Sequence, residues 1–580
     1  MIDDVEEKKS VGSTMSGETA EDHASDEMQG EKSSGCVPSS DEEVEPVTIG
    51  ALRTEDPLTI DDTAVATESG VAGEDTKQLN ASSRKLRIAI AGCAHGEMEK
   101  IYEVLAEIEK ERGYKFDLLI CCGDYQAVRN YGDLHHMHVS EKYRSLQTFY
   151  KYYSGEKEAP ILTIFVGGNH EASGYLSELP NGGWVAPKIY YMGFANVIRF
   201  AGLRIAGLSG IYNAKEFNRG HYERPPYSDR SEVISSYHVR NIDVWRLKHL
   251  KPADDDYTSN PIDIMVTHDW PAGIVDYGDK QLLLRTKPFF HHDIEHGNLG
   301  NPSTMQLLYE TRPRYWLSAH LHVAFAALVA HKSKNGAEEA APTRFLALDK
   351  PIPRRHFLQA LELNIADDAE MKLSYDPVWL AILRSTDGFT SISRTNTFLP
   401  SARSEERSDF RPTESELAAI AELGDLTIPE NFRQTAPPLK EDTPKARLAP
   451  SSSYYRNPQT AEFCSWLGIS DLNKMLVETN PDSVAIAHYM VEESFADTSE
   501  INIDDDIFAD GEDFAIDTRP LPSAIDDFAS PNITSNSNET TDCDDLLDFT
   551  PPKFIRKSST PSSDSVIFLK RRKVDIPDDD

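Results

Sequence analysis

The chain has 580 residues, of which 39% are hydrophobic and 27% charged, and it carries a formal net charge of −37. No apolar run approaches the ~18 residues of a membrane span, the first 30 residues lack a basic-then-apolar leader, and the six cysteines (Cys36, Cys93, Cys121, Cys122, Cys464, Cys543) contain no CxxC pair. Neither a membrane-spanning helix nor a disulfide framework is expected, and a soluble intracellular protein of a reducing compartment is.

The acidity is concentrated at the two ends. Residues 1–80 carry 21 acidic and 5 basic side chains and residues 491–580 carry 23 and 8, which leaves −6 for residues 81–490. Both ends are rich in Ser, Thr, Asp and Glu, so they bury too little apolar surface to offset the entropy of ordering. Residues 1–84 and 481–580 are accordingly expected to be disordered acidic regions.

From Lys85 short apolar runs alternate with amphipathic stretches. Leu86 to Gly92, Phe116 to Asp124, Ile161 to His170, Ile262 to Asp269 and Arg314 to His322 each read as a buried strand running into a loop. Between the first two, Met98, Ile101, Leu105 and Ile108 recur at helical spacing, giving a strand-helix-strand unit and an α/β fold. Leu203 to Gly207 and Ala324 to Val329 are further candidate strands. Cys121 and Cys122 are adjacent in a strand, so their side chains point to opposite faces.

Beyond residue 335 the pattern loosens. A second ordered block is expected from Arg344 to about Leu383, then a polar, Pro-containing linker, then a short apolar segment around Phe463, Trp466 and Leu467. Near the C-terminus, Lys570-Arg571-Arg572-Lys573-Val574 is a compact basic cluster of the kind used for nuclear import.

Each of the five principal strands ends in potential metal ligands: Cys93 and His95, Asp124, Asn169 with His170, His268, and finally His320 and His322. Side chains just beyond the carboxyl ends of α/β strands converge on one crevice. A carboxylate such as Asp124 can bridge two cations while imidazoles and an amide oxygen complete the shells. Two cations ~3.5–4 Å apart can generate a hydroxide near neutral pH and clamp phosphoryl oxygens during in-line displacement. Singly, a Gly-Asp or a histidine after a strand is more often structural; the ordered set is what points to a metal site.

The order C-x-H, GD, GNH, H, H-x-H resembles the calcineurin-like metallophosphoesterases, whose first motif is normally D-x-H. Here Cys93-Ala94-His95 puts a thiol in the place of the carboxylate. A thiolate is the softer donor, which disfavours Mg²⁺ relative to Fe²⁺ and Zn²⁺, with Mn²⁺ also open, as one or two ions per site. That replacement and the stretches AGCAHGEMEKIYE, CCGDYQAVRN, FVGGNHEASGYLSELPNGGWVAPKIYYMG, SGIYNAKEFNRGHYERPPY, HDWPAGI and SAHLHVAFAAL resemble the lariat debranching enzymes. The likeness is strong over about Lys85 to Ala330 and patchy through Arg344 to Lys350 and Asn457 to Leu472.

The resemblance implies a layered β-sandwich metallophosphoesterase core flanked by helices (85–335), followed by a smaller C-terminal debranching-enzyme domain (336–480) with an internal linker. It further implies hydrolysis of the 2′–5′ phosphodiester at the branch of intron lariats, with branched RNA as substrate and the nucleus as location. Cys93, His95, Asp124 and His322 would form one metal pocket, and Asp124, Asn169, His268 and His320 the other. His170 matches the family's catalytic histidine. Ser209 to Val239 matches its lariat recognition loop, in which Tyr212, Lys215, Arg219, His221, Tyr222, Arg224 and Tyr227 are candidate RNA contacts, with Phe217, Asn218, Tyr237 and His238 beside them and Pro225-Pro226 as stiffener.

Arg129, Lys142, Arg144, Lys151, Arg199, Arg240 and Arg246 are expected to form a positive rim around the cleft. Two alternatives stand beside debranching: another calcineurin-like phosphodiesterase or phosphatase, either a nuclease or a protein phosphatase, and a binding scaffold that has lost catalysis.

Overall fold

A computed structural model describes residues 83–479, apart from 253–255, 258–259, 332–339, 402–403 and 405–406. The acidic ends and the basic cluster at 570–574 lie outside the described residues. Among those described, thirteen strands occur: β1 (Ser83–Ala91), β2 (Leu118–Cys121), β3 (Thr163–Phe165), β4 (Gly183–Ala186), β5 (Ile189–Tyr191), β6 (Ala195–Phe200), β7 (Leu203–Leu208), β8 (Ile264–Thr267), β9 (Tyr315–Ser318), β10 (Phe325–His331), β11 (Ala340–Ala347), β12 (Leu358–Ala366) and β13 (Ser374–Tyr375).

They form two mixed sheets, one ordered β12-β1-β2-β3-β5-β4 and the other β10-β11-β9-β8-β7-β6-β13. In the first, β1, β2, β3 and β5 run parallel, with β12 and β4 antiparallel at the edges. In the second, β7, β8, β9 and β11 run parallel, with β10 antiparallel on one side, β6 antiparallel on the other, and β13 antiparallel to β6 at the edge. Parallel strands covered on both faces need apolar side chains at every position, which is why these segments read as continuous apolar runs rather than as alternation.

The alternation appears in where each side chain goes. Leu86, Ile88, Ile90, Leu118 and Ile120 meet Ile205, Ile264, Val266 and Leu317 of the second sheet in the core between the layers. Ala89, Ala91, Leu119 and Cys121 face the other way, against Met98, Ile101, Tyr102 and Leu105 of the helix Met98–Arg112. Cys121 and Cys122 accordingly lie in different cores. Each fully buried Leu or Ile contributes about 1.5–3 kcal/mol, so an Ile101→Ala cavity would cost about 2–5 kcal/mol. The helix stops at Gly113, whose φ of 70° provides the left-handed cap.

The segment beyond residue 335 completes both sheets. β11 lies between β9 and β10, and β12 pairs with the whole of β1, from Ser83 opposite Ala366 to Ala91 opposite Leu358. Asp376 then caps the helix Pro377–Ser385 and pairs with Arg204 and Arg199 of the second sheet. The stretch read as a linker carries helices at Glu414–Ala421 and Pro444–Arg447, and the apolar segment around Phe463 is the helix Pro458–Leu467.

Candidate active site

The seven candidate ligands follow β1, β2, β3, β8 and β9, and the structure brings them together. Ligand atoms of Cys93, His95, Asp124 and His322 lie within 4.8 Å of one another. On the other side of Asp124, His268 Nε2 stands 3.4 Å from its Oδ1 and 3.2 Å from Asn169 Oδ1. The His320 ring lies 5.0 Å from that of His268. Asp124 is thus shared between two groups of donors, as a bridging carboxylate would be.

Backbone conformation supports this reading. His95, Asp124, His320 and His322 all have φ between 44° and 64° (46°, 45°, 63° and 47°), in the left-handed region that side chains seldom adopt. Strain of this kind, about 1–3 kcal/mol per residue, persists where surrounding structure enforces it and clusters at functional sites. The glycines of the GD and GNH motifs serve close approach: a Cβ on Gly123 would fall 2.2 Å from His268 Nδ1, and one on Gly168 would fall 2.2 Å from Asp124 Oδ1.

The donor set fits a divalent cation. His268 Nδ1 is 2.9 Å from the Cys122 carbonyl, which can only accept, so a ring proton sits there and Nε2 is turned toward two oxygens, a place that suits a cation. Asp124 Oδ2 is buried with no hydrogen-bond partner, a costly state for a carboxylate unless a cation adjoins it. His95 Nε2 and His322 Nε2 are 2.9 Å apart. Burial pulls His95 down to about 4, His320 to about 3 and His322 to about 2, so these imidazoles are neutral, the form that ligates. Burial and the Asp124 charge hold the Cys93 thiol well above its usual range; only a neighbouring cation would make it a thiolate. For Asp124, burial pushes upward, but His268, whose own affinity for a proton Asp124 raises, leads the groups that outweigh it and keep the carboxyl well below its ordinary value.

His170 sits over this centre. Its backbone N–H donates to Asp124 Oδ1 at 2.8 Å, and its ring lies 5.6 Å from that of His95.

Three supporting residues carry no motif signal of their own. Glu171 is buried, and its carboxylate accepts from the backbone N–H groups of Tyr125, Gln126 and Gly168, tying the GD loop to the GNH loop. Gln126 Nε2 lies 3.1 Å from His95 Nδ1. Asp269 accepts from the backbone of Tyr212 at 3.1 Å and fixes the start of the 209–239 segment. Glu171 and Asp269 adjoin GNH and the H-D pair, and position next to a motif is the only clue to them in the sequence.

The 209–239 segment is less open than its composition suggests. His221 stacks on Phe194 at 4.1 Å and bonds Asp243 at 2.8 Å; Tyr222 is buried against Ser235; Tyr227 donates to Ser173 at 3.0 Å. These three candidate RNA contacts have their polar atoms engaged by protein, because a long segment without a ladder must satisfy itself through side chains. Lys215 is exposed, and Tyr212, Arg219 and Arg224 are half-buried.

The expected positive rim is corrected more sharply. Arg129 is buried between Asp133 and Glu178, and Arg240 is buried on Glu223. Arg199 pairs with Asp376, Arg246 bonds Thr386 and Thr390, and Lys151 pairs with Glu99. Buried guanidinium groups need partners, and in an acidic chain carboxylates supply them.

Two sheets with a cluster of seven donors at their strand ends define a calcineurin-like metallophosphoesterase, and the calcineurin-like phosphoesterase family model matches residues 86–324. The family model described as "Lariat debranching enzyme, C-terminal domain" matches residues 340–472. A lariat debranching enzyme of Caenorhabditis elegans is 61% identical over 447 residues, covering 76% of this chain and 89% of that protein. The Caenorhabditis briggsae enzyme is 59% identical, covering 76% and 87%, and the human enzyme 46%, covering 72% and 77%. The chain belongs to the lariat debranching enzyme family.

Proposed function

We propose that this chain is a metal-dependent hydrolase that cuts the 2′–5′ phosphodiester of branched RNA and returns a linear strand. The observation that carries the reading is the bridging position of Asp124, whose buried Oδ2 has no hydrogen-bond partner while two groups of imidazoles flank it. Cys93, His95, Asp124 and His322 would hold one cation, and Asp124, Asn169, His268 and His320 a second. Such cations supply positive charge to the phosphoryl oxygens and bring water to its nucleophilic form near neutral pH.

The chain's own groups do the rest. Glu171 and Asp124 hold the GNH backbone so that the His170 ring stands over the centre. As water adds to phosphorus and the bond to the ribose 2′ oxygen breaks, His170 gives that oxygen its proton, completing the 2′-hydroxyl and leaving a 5′-phosphate. The thiol of Cys93 among imidazoles favours Fe²⁺ or Zn²⁺ over harder ions, with Mn²⁺ as a substitute. Cys93→Asp is expected to move the preference toward Mn²⁺.

The test is a synthetic branched RNA carrying one 2′–5′ and one 3′–5′ bond, incubated anaerobically with Fe²⁺, Zn²⁺ and Mn²⁺ in turn. Cleavage confined to the 2′–5′ bond is expected. Survival of the branch in every metal, with hydrolysis of a simple phosphodiester, would leave the metallophosphoesterase class and remove the substrate. On this reading the enzyme acts in the nucleus and the cluster at 570–573 is its import signal; alanine at all four positions should leave a tagged chain in the cytoplasm.

A further inference from the structure

A cavity of about 560 Å³ opens between residues 135–140 and the start of the helix Arg230–Ser235, against the loop that follows His170. That lies within the ~300–1,000 Å³ of small-ligand sites. His138, Arg144, Tyr227 and Arg230 are among its walls. Two contacts join it to the catalytic histidine's own loop: Tyr227 donates to Ser173, three residues past His170, and the His136 ring lies against Gly174 so closely that a Cβ there would fall 2.1 Å from Nδ1.

The arginines here differ from most of the buried or half-buried ones elsewhere in the fold. Arg87, Arg129, Arg204, Arg240 and Arg355 each hold a carboxylate. Arg144 is fixed through Nε alone, to the Val139 carbonyl at 3.0 Å, and Arg230 through one terminal nitrogen, to His138 Nε2 at 3.1 Å. Neither has a carboxylate partner among the described residues, so both present unused donors in a chain with carboxylates in excess.

The histidine between them has a defined tautomer. A guanidinium can only donate, so His138 Nε2 accepts, and a neutral ring must carry its proton on Nδ1. Burial and Arg230 both lower the affinity of His138 for a second proton. Nδ1–H therefore donates to the Tyr237 oxygen at 2.7 Å, which leaves the Tyr237 hydroxyl hydrogen for another acceptor.

We propose that this cavity is a subsite for one nucleotide of an RNA arm leaving the branch, with Arg144 and Arg230 on a backbone phosphate and Tyr237 donating to a neighbouring oxygen. Arginine forks suit phosphate oxygens, and a flanking arm is the part of a branched substrate that a cavity against the catalytic histidine's loop, outside the metal ligands, would take. The inference rests on the debranching reading, and its test separates the two.

Cleavage of a branched RNA with long arms, and of the same branch trimmed to a trinucleotide, is measured across a salt series. The proteins are wild type, Arg144→Ala/Arg230→Ala, the lysine pair Arg144→Lys/Arg230→Lys, Tyr237→Phe, and Arg285→Ala as a charge control on an exposed helix. The alanine pair should raise KM for the long-armed substrate about tenfold or more and cut the salt slope by about 0.7, the value for one single-strand phosphate contact. The penalty should be far smaller on the trimmed branch. The lysine pair should recover part of the affinity, Tyr237→Phe should weaken it less than the alanine pair, and Arg285→Ala should match wild type. Equal penalties on both substrates, an unchanged salt slope, or no rescue by lysine would overturn the subsite. Failure of wild type to cut any branched RNA would overturn the debranching reading instead. Anisotropy of a labelled linear oligonucleotide would then decide the subsite alone, supporting it if the alanine pair weakens binding and overturning it if not.

Discussion

The metal centre draws its seven side chains from the ends of five strands locked in two sheets, whereas the 209–239 segment, which starts beside it, has one short helix, Arg230–Ser235, and is held in place by other parts of the chain. In the first region the ladders fix the backbone, so each side chain beyond a strand has one place to go. In the second, side chains do the fixing. His221 reaches Asp243, Tyr227 reaches Ser173, and residues 391–397 lie alongside, with Gly220 N donating to Ser393 O and His221 N to Ser391 O. An aromatic or basic residue in such a segment is as readily a brace as a ligand contact.

The comparison is tested hardest at Asp124. Asp124→Ala removes the one carboxylate shared by both donor groups, and cleavage should fall by about 10³-fold or more, several kcal/mol of barrier. The measurement is single-turnover cleavage of branched RNA together with metal per protein, and both should drop. His170→Ala should cost about 10²–10⁴-fold in kcat, the range for a positioned acid, with metal content intact. Parallel loss of metal would move His170 from proton donor to ligand support. Glu171→Ala leaves three buried backbone donors without an acceptor, at about 1–3 kcal/mol each before relaxation, and outer-shell losses of this kind cost about 10–100-fold in activity. A lower Tm together with that rate loss is expected, and Glu171→Gln should retain more of both.

How much of this the sequence disclosed follows the same division. The five strand-to-loop units, the helix from Met98 and the donors at the strand ends are legible because an apolar run followed by a polar residue of special chemistry is a local pattern. β12 was not legible as the partner of β1, because pairing across 275 residues between Arg87 and Glu362 leaves no local trace. β6 was hidden by Asn196 and Arg199, whose polar atoms are satisfied by the Asn181 carbonyl and by Asp376. Arg129 reads as a surface cation until Asp133 and Glu178 are seen around it. Charge sign is a sequence property; which charge is used up by a partner is not.

For the 209–239 segment the corresponding test is smaller. Arg394 donates to Glu232 and lies over the Tyr222 ring at 4.8 Å, clamping the segment to the C-terminal extension. Its side chain is largely exposed, so the pair is worth at most about 1 kcal/mol. Arg394→Ala should therefore raise KM for branched RNA only a few-fold, with kcat and metal content near wild type. A fall in kcat as large as that of Glu171→Ala would mean that the segment also shapes the metal centre.

The smallest effect concerns pH and the joint between extension and sheet. Burial pushes the Asp376 carboxyl upward, but Arg204 and Arg199 outweigh it and hold the group below its ordinary value. The stabilisation that this shift provides is present above the unfolded carboxyl value near ~3.9 and is lost as pH falls through the lower folded value. Wild-type Tm should thus be insensitive to this group above about pH 5 and decline as the solution is acidified below about pH 4. Asp376→Asn keeps the cap on Trp379 N but removes the titrating charge, so its Tm starts lower and its acid decline is shallower. Identical acid slopes in the two proteins would show that the extension is held by apolar packing of the helix Pro377–Ser385 alone, and that the arginines on β6 and β7 contribute nothing that depends on charge.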